Sequence, residues 1–259
     1  MPTRNNERRA VISGVGLITP LGTSKAQVWK NWAAGHCAAA LVRQFDVSTL
    51  PSRIASEVAD FVPQQHIKNR KLLKLLRRGE DFAIAAAKAA LEDAQVRPAG
   101  LDSARCGVAV GCSKEGPPVE NFFAGIEVAL DAAGQIDRAR FADEGLPLIP
   151  PLTIIEGLPN ACLYYLVESF HLEGANHNFL SYGAGAALAL GEAFRSIQRG
   201  DADQMLAGGF DSWVNWVSLS FLAEMGLLTR ANERPQQAHR PFDAARSGSV
   251  AGEGAGFTV

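Results

Sequence analysis

The chain has 259 residues, 47% of them hydrophobic and 20% charged, with 25 Lys+Arg against 27 Asp+Glu for a formal net charge of −2. That composition gives enough apolar side chain for one large core or two small ones, and its near-neutral balance excludes the strongly basic surface of a nucleic-acid binder. The four cysteines, Cys37, Cys106, Cys112 and Cys162, form no C-x-x-C pair, so neither a zinc site nor a redox dithiol is indicated and mostly buried, reduced thiols are expected.

Residues 1–9 are charged and residues 10–21 fairly apolar, a loose imitation of a signal peptide. Glycines and Pro20 break that run and no small-x-small cleavage site follows it. No stretch approaches the ~18 uninterrupted apolar residues of a membrane span, so a cytoplasmic protein is expected.

In chain order, residues 10–13 read as a buried strand followed by the turn Gly14-Val15-Gly16. Ser24 and Gln27 have capping-box spacing and open a helix through Trp29 and Trp32 that Gly35 ends. Residues 72–94 read as a long helical stretch interrupted at Gly79, its second part rich in alanine. Residues 107–111 are an apolar strand and 119–130 a helix; Pro147, Pro150 and Pro151 mark a loop before a helix at 154–170. Residues 179–182 form a strand, 184–199 a helix closed by Gly200, and 205–207 the next strand. Strands alternating with helices imply an α/β fold with a largely parallel sheet. Residues 248–259 read as a strand in which the chain stops, so that edge is expected to pair with something else, unless the chain is a fragment.

Gly14 and Gly16 do not make a dinucleotide site, because Thr19 stands where the third glycine belongs and Pro20 blocks the helix that the pyrophosphate needs. No P-loop is present and the acidic residues show no metal-ligand spacing. The informative segment is 178–195, where a strand feeds directly into a helix of alanine and glycine. This is elbow geometry: the helix N-terminus aims unpaired N–H groups and a partial positive charge at the turn, where a cysteine would be a ready thiolate.

The run from Gly191 through Gly208-Gly209 closely resembles the β-ketoacyl-carrier-protein synthases of fatty-acid and polyketide assembly. So do residues 11–22, and Arg240-Pro241-Phe242-Asp243 with Gly252-Glu253-Gly254-Ala255-Gly256. The resemblance implies a thiolase-like α/β fold, of which residues 1–259 would be a single N-terminal-half domain: a mixed, mostly parallel sheet covered by helices. It also exposes a departure. Gly183 occupies the position of the family's nucleophilic cysteine, and the usual Thr-Ala-Cys reads Ser181-Tyr182-Gly183. Glycine cannot be acylated, and Ser181 has no partner base suggested by the sequence. The family's two catalytic histidines and its lysine belong to the other half; none of His36, His66, His171, His177 and His239 lies in a matching motif. No catalytic residue, cofactor or metal is expected.

The relative that fits is the chain-length factor, a cysteine-less subunit that pairs with a full-length β-ketoacyl-carrier-protein synthase in a heterodimer or heterotetramer. By that resemblance the strand before the elbow, with Phe179 and Tyr182, meets the partner, and Lys114, Glu115, Phe122 and Phe123 close the partner's acyl tunnel. Elongation of a fatty acyl, polyketide or aryl polyene chain is implied. The basic run 68–78 reads as a helix, and its Arg70, Lys71 and Lys74 match a patch that greets the acidic acyl carrier protein. The alternative is an N-terminal fragment of such a synthase that needs a separate C-terminal half. In either case the helix at 184–199 is expected to have one bare apolar face.

Overall fold

The computed structural model describes residues 8–69, 71–95, 102–113, 118–156, 158 and 160–259. In chain order the elements are β1 (Val15–Ile18), α1 (Lys25–Ala33), β2 (Ala39–Leu41), β3 (Ile54–Ser56), α2 (Arg78–Asp93), β4 (Cys106–Cys112), α3 (Phe123–Ala129), α4 (Arg138–Arg140), α5 (Thr153–Glu156), α6 (Ala161–Phe170), β5 (Asn176–Leu180), α7 (Gly185–Arg199), β6 (Gln204–Ser212), α8 (Trp216–Glu224) and β7 (Ala251–Thr258). Among the described residues no helix is long and apolar enough to cross a membrane.

The strands form one mixed sheet in the order β2-β3-β7-β6-β4-β5, with β1 sharing an edge of β7 with β3. Strands β1, β2, β4, β5 and β6 run one way, and β3 and β7 run the other. The parallel set β5-β4-β6 is the heart of the sheet. Every residue of β4 is buried, as expected of a strand covered on both faces. Its even-numbered residues Val108 and Val110 join the core under α2, together with Phe82, Leu206 and Phe257. Ala109 faces the other way, into a smaller core with Ala189, Ala193 and Ala207 under α7.

Close approach explains the glycines. A Cβ on Gly16 would stand 1.9 Å from the carbonyl oxygen of Ala86, and one on Gly14 2.2 Å from that of Ala90, so both let α2 ride directly on the N-terminal strand. On the other face, a Cβ on Gly111 would lie 2.0 Å from the carbonyl carbon of Gly185, which brings the N-terminus of α7 onto the end of β4.

Several elements differ from the sequence reading. The first strand is Val15–Ile18, not 10–13: Val11 and Ile12 are exposed, and Gly14-Val15-Gly16 is a strand contact with α2 rather than a turn. The 72–94 stretch is a 3-10 turn at Leu72–Lys74 followed by α2, and Gly79 lies in the first turn of α2 rather than interrupting a helix. The basic run 68–78 is therefore not one helix. The 119–130 segment splits into a 3-10 turn at Val119–Phe122 and α3, and 154–170 splits into α5 and α6. Strand β7 is interior rather than an open edge, because β6 pairs along one side and β3 and β1 along the other.

The capping box of α1 is present in altered form. The Gln27 N–H donates to Ser24 Oγ at 3.3 Å, but the Gln27 side chain accepts from the Thr23 N–H, one residue further upstream. Gly200 closes α7 in the left-handed conformation, as its position predicts.

Candidate functional site

Strands β4, β5 and β6 end together, and the chain leaving β5 turns through Ser181, Tyr182 and Gly183 into α7. The Ser181 N–H donates to the carbonyl of Cys112 at 3.1 Å, which pins the turn to the end of β4. Ala184, the N-cap of α7, offers no side-chain hydrogen bond. The first N–H groups of the helix thus point into the turn with their partial positive charge. Gly183 is exposed, and a Cβ built on it would meet nothing within 4 Å. The elbow has room for a side chain at Gly183, where the glycine supplies none.

No base stands ready to serve a hydroxyl either. His177 lies on β5 with Nε2 3.9 Å from Glu192 Oε1. His171 is the left-handed C-cap of α6, and His66 stacks on Phe61 with ring centroids 5.1 Å apart. His36 and His239 are exposed elsewhere on the surface. Among the described residues no histidine hydrogen-bonds to Ser181 or Tyr182. No disulfide joins the four cysteines: Cys106, Cys112 and Cys162 are buried and Cys37 exposed. Burial pushes the Cys106 and Cys162 thiols above their ordinary range.

Beside the elbow opens a cavity of about 1000 Å³. Its walls come from the 3-10 turn before α3 (Phe122, with Phe123), from Tyr182, from the β6–α8 connection (Trp213), from α8 (Trp216, Phe221) and from Phe45. The Tyr182 and Trp213 rings lean together, centroids 5.8 Å apart. Polar groups on the wall are tied into networks. Asp211 accepts hydrogen bonds from the Ser113 N–H at 2.9 Å and its hydroxyl at 2.7 Å, while burial pushes its carboxyl up. Arg78 forks onto Glu253, with Nε to Oε2 at 2.8 Å and Nη2 to Oε1 at 2.7 Å. The Glu253 side chain is 0% exposed and also accepts from the Ser212 hydroxyl and the Val58 N–H, each at 2.8 Å. Such a pair is tolerated in the interior because its remaining lone pairs are satisfied.

Of the residues singled out from sequence, Phe122, Phe123 and Tyr182 meet at this cavity. Tyr182 lies in the turn beyond β5 rather than within the strand. Phe179 is half-buried in the small core under α7, away from the cavity. Lys114, Glu115 and Arg70 lie outside the described residues. Lys71 and Lys74 are exposed at and beside the 3-10 turn, whereas Arg78, from the same basic run, is drawn inward to Glu253. Sequence reasoning missed Trp213, Trp216, Phe221 and Asp211. The signal available was the clustering of two tryptophans and a phenylalanine just after a buried strand.

A doubly covered, mixed sheet with a strand–elbow–helix at the ends of its parallel strands defines a thiolase-like α/β protein. Residues 7–259 match the model of the β-ketoacyl synthase N-terminal domain, and the chain belongs to that family. It is 33% identical over 264 residues to 3-oxoacyl-(acyl-carrier-protein) synthase 2 of Rhizobium meliloti (strain 1021), covering 97% of this chain but 58% of that relative. Among solved structures it is similar to the ishigamide ketosynthase/chain length factor, with a TM-score of 0.78 at 25% identity over 98% of this chain and 58% of that one. It is also similar to AntDE:AntF, a type II polyketide acyl-carrier protein in complex with its ketosynthase bound to the hexaketide, with a TM-score of 0.74 at 25% identity over 98% of this chain and 58% of that one.

Proposed function

We propose that this chain is a non-catalytic, chain-length-factor-like partner of a β-ketoacyl-carrier-protein synthase, which it stabilises and whose acyl tunnel it shapes during decarboxylative chain elongation on an acyl carrier protein. The observation that carries the reading is the elbow: the helix N-terminus, the turn and the open space are present, while Gly183 supplies no nucleophile. An acyl group cannot be transferred covalently to this chain at that turn.

Two further features support a partner. Among the described residues β5 pairs only with β4, so its outer edge offers main-chain groups for strand addition across an interface. Helix α7 leaves Leu190 and Phe194 exposed one turn apart on one flank and Leu188 exposed on the other, apolar surface that needs a cover. Lys71 and Lys74 are placed to steer an acidic carrier protein, an effect that weakens with salt.

The second reading is an N-terminal fragment of a synthase completed by a separate C-terminal half, and it is favoured by α8. There Val217, Phe221 and Met225 expose an apolar stripe at i, i+4, i+8 spacing. Co-expression of the untagged chain with a tagged full-length ketosynthase, followed by mass measurement of what co-purifies, separates the readings. A stable 1:1 or 2:2 complex with aggregation of the lone chain is the expected result. A well-folded lone monomer that ignores the ketosynthase overturns the proposal, and capture only by an isolated C-terminal half supports the second reading.

A further inference from the structure

The cavity beside the elbow has an unusual wall. Seven of its nineteen lining residues are aromatic, whereas aromatic residues make up 8% of the chain. Among the described residues its aliphatic lining is Val119, Val214 and Val217. A volume of about 1000 Å³ is at the upper end of the range for sites that enclose a small molecule.

We infer that this cavity selects conjugated acyl chains over saturated chains of equal length. The inference rests on the preceding proposal in one respect, that the cavity receives an acyl chain. Any apolar wall gains from covering a saturated chain, and valine or leucine would serve as well as tryptophan. Rings add a contribution that a saturated chain cannot use, because a π-face stacks on another π-system in offset or edge-on geometry. The Tyr182 and Trp213 rings, tilted by 51° to one another, present both a face and an edge. A conjugated chain is also stiff and planar, so confining it costs less torsional entropy than confining a saturated one.

Of the charged groups on the wall, which also include Arg77 and Glu120, Arg78 and Asp211 are already engaged. Arg78 is committed to Glu253, and the Asp211 carboxylate is held by Ser113. Neither is left over to neutralise an ionic tail inside the cavity.

The test uses trans-parinaric acid, a fluorescent conjugated C18 tetraene, displaced by stearic acid, its saturated counterpart of equal length and equal carboxylate. It is run on the full chain at high dilution and again on its co-purified complex. A preference of about tenfold for the tetraene is expected, the sum of one or two ring contacts. Trp216→Leu with Phe221→Leu should bring the ratio of the two affinities toward one. Both residues are half-exposed, so the pair leaves the buried core intact. Equal affinities in the unmodified chain, or a tetraene preference that survives the double substitution, would overturn the inference and leave the partner proposal standing. If neither acid binds, the acyl reading of the cavity falls and takes the inference with it.

Discussion

The two faces of the sheet are covered by helices of similar composition and opposite condition. Helix α2 buries nine of its sixteen residues, among them the unbroken run Phe82 to Ala87, because β1, β7 and β6 lie beneath it and α6 packs beside it. Helix α7 buries four of its fifteen, Gly185, Ala189, Ala193 and Ser196, and leaves Leu190 and Phe194 exposed on one flank and Leu188 on the other. Both helices are alanine-rich because both sit close on strands, one over Gly14 and Gly16 and the other over Gly111. The alanines therefore report only the sheet side. The large residues report whether a second layer exists, and over α7 none is formed among the described residues. The finished face is where stability resides, and the unfinished face is where association should occur.

The sharpest test of that contrast is to cut one large side chain from each face. Phe82 is fully buried, edge-on to Phe61 with centroids 4.9 Å apart and under the Arg78 guanidinium at 4.9 Å. Phe82→Ala should cost about 3–5 kcal/mol in urea unfolding. Phe194→Ala should change the same midpoint by no more than about 0.5 kcal/mol, and Phe194→Asp should disperse the lone chain while abolishing co-purification with a ketosynthase. Equal losses of stability from Phe82→Ala and Phe194→Ala would erase the distinction. Next in size is Arg78→Ala, which strands the fully buried Glu253 carboxylate and should cost about 3 kcal/mol. The accompanying Glu253→Gln should recover part of that loss, since the uncharged amide can still accept from the Val58 N–H through its oxygen while its NH2 donates to the Ser212 hydroxyl.

A smaller effect on the α2 side depends on pH. Asp81 lies in the first turn of α2 with Oδ1 buried and without a hydrogen-bond partner, and burial raises its carboxyl to about 7 despite the opposing pull of Arg78. An unfolded aspartic acid releases its proton near a pH of about 3.9. Between those values the folded chain binds the proton and the unfolded chain does not, so stability falls as pH rises through the window. Asp81→Asn should flatten that slope and leave the variant more stable than the parent at pH 8, by about 2 kcal/mol. Denaturation midpoints at pH 5 and 8 check it, and a parent whose midpoint does not fall between them contradicts the assignment.

Much of this architecture was legible from sequence where the signal is local. Ser24 and Gln27 announced α1, Gly200 announced the end of α7, and the strand-to-helix turn before α7 was read from the alanine–glycine run that follows it. What failed needed partners far away in the chain. Gly14 and Gly16 looked like a turn because no window of sequence shows that the Ala86 and Ala90 carbonyls press on them from α2. The basic run looked like a solvated helix because nothing near it reveals that Arg78 meets a carboxylate 175 residues later. The cavity stayed hidden for the same reason: Phe45, Phe122, Tyr182 and Trp216 come from four separate segments that only the sheet brings together.

The smallest expected effect on stability is also the most informative about chemistry. A Cβ at Gly183 meets open space, and its backbone is not in the left-handed region, so Gly183→Cys should leave the denaturation midpoint within about 0.5 kcal/mol. The new thiol would stand at the N-terminus of α7, where the helix dipole favours the thiolate. In a Cys37→Ser background, which removes the exposed thiol, the Gly183→Cys chain should be alkylated by iodoacetamide at neutral pH well ahead of Cys106 and Cys162, whose thiols burial holds protonated. It should nevertheless form no condensation product from an acyl and a malonyl carrier protein, because no histidine among the described residues reaches the turn. A reactive but unproductive cysteine would separate a lost nucleophile from a lost catalytic apparatus. Condensation by the lone variant would show that this half carries more of the machinery than its geometry accounts for.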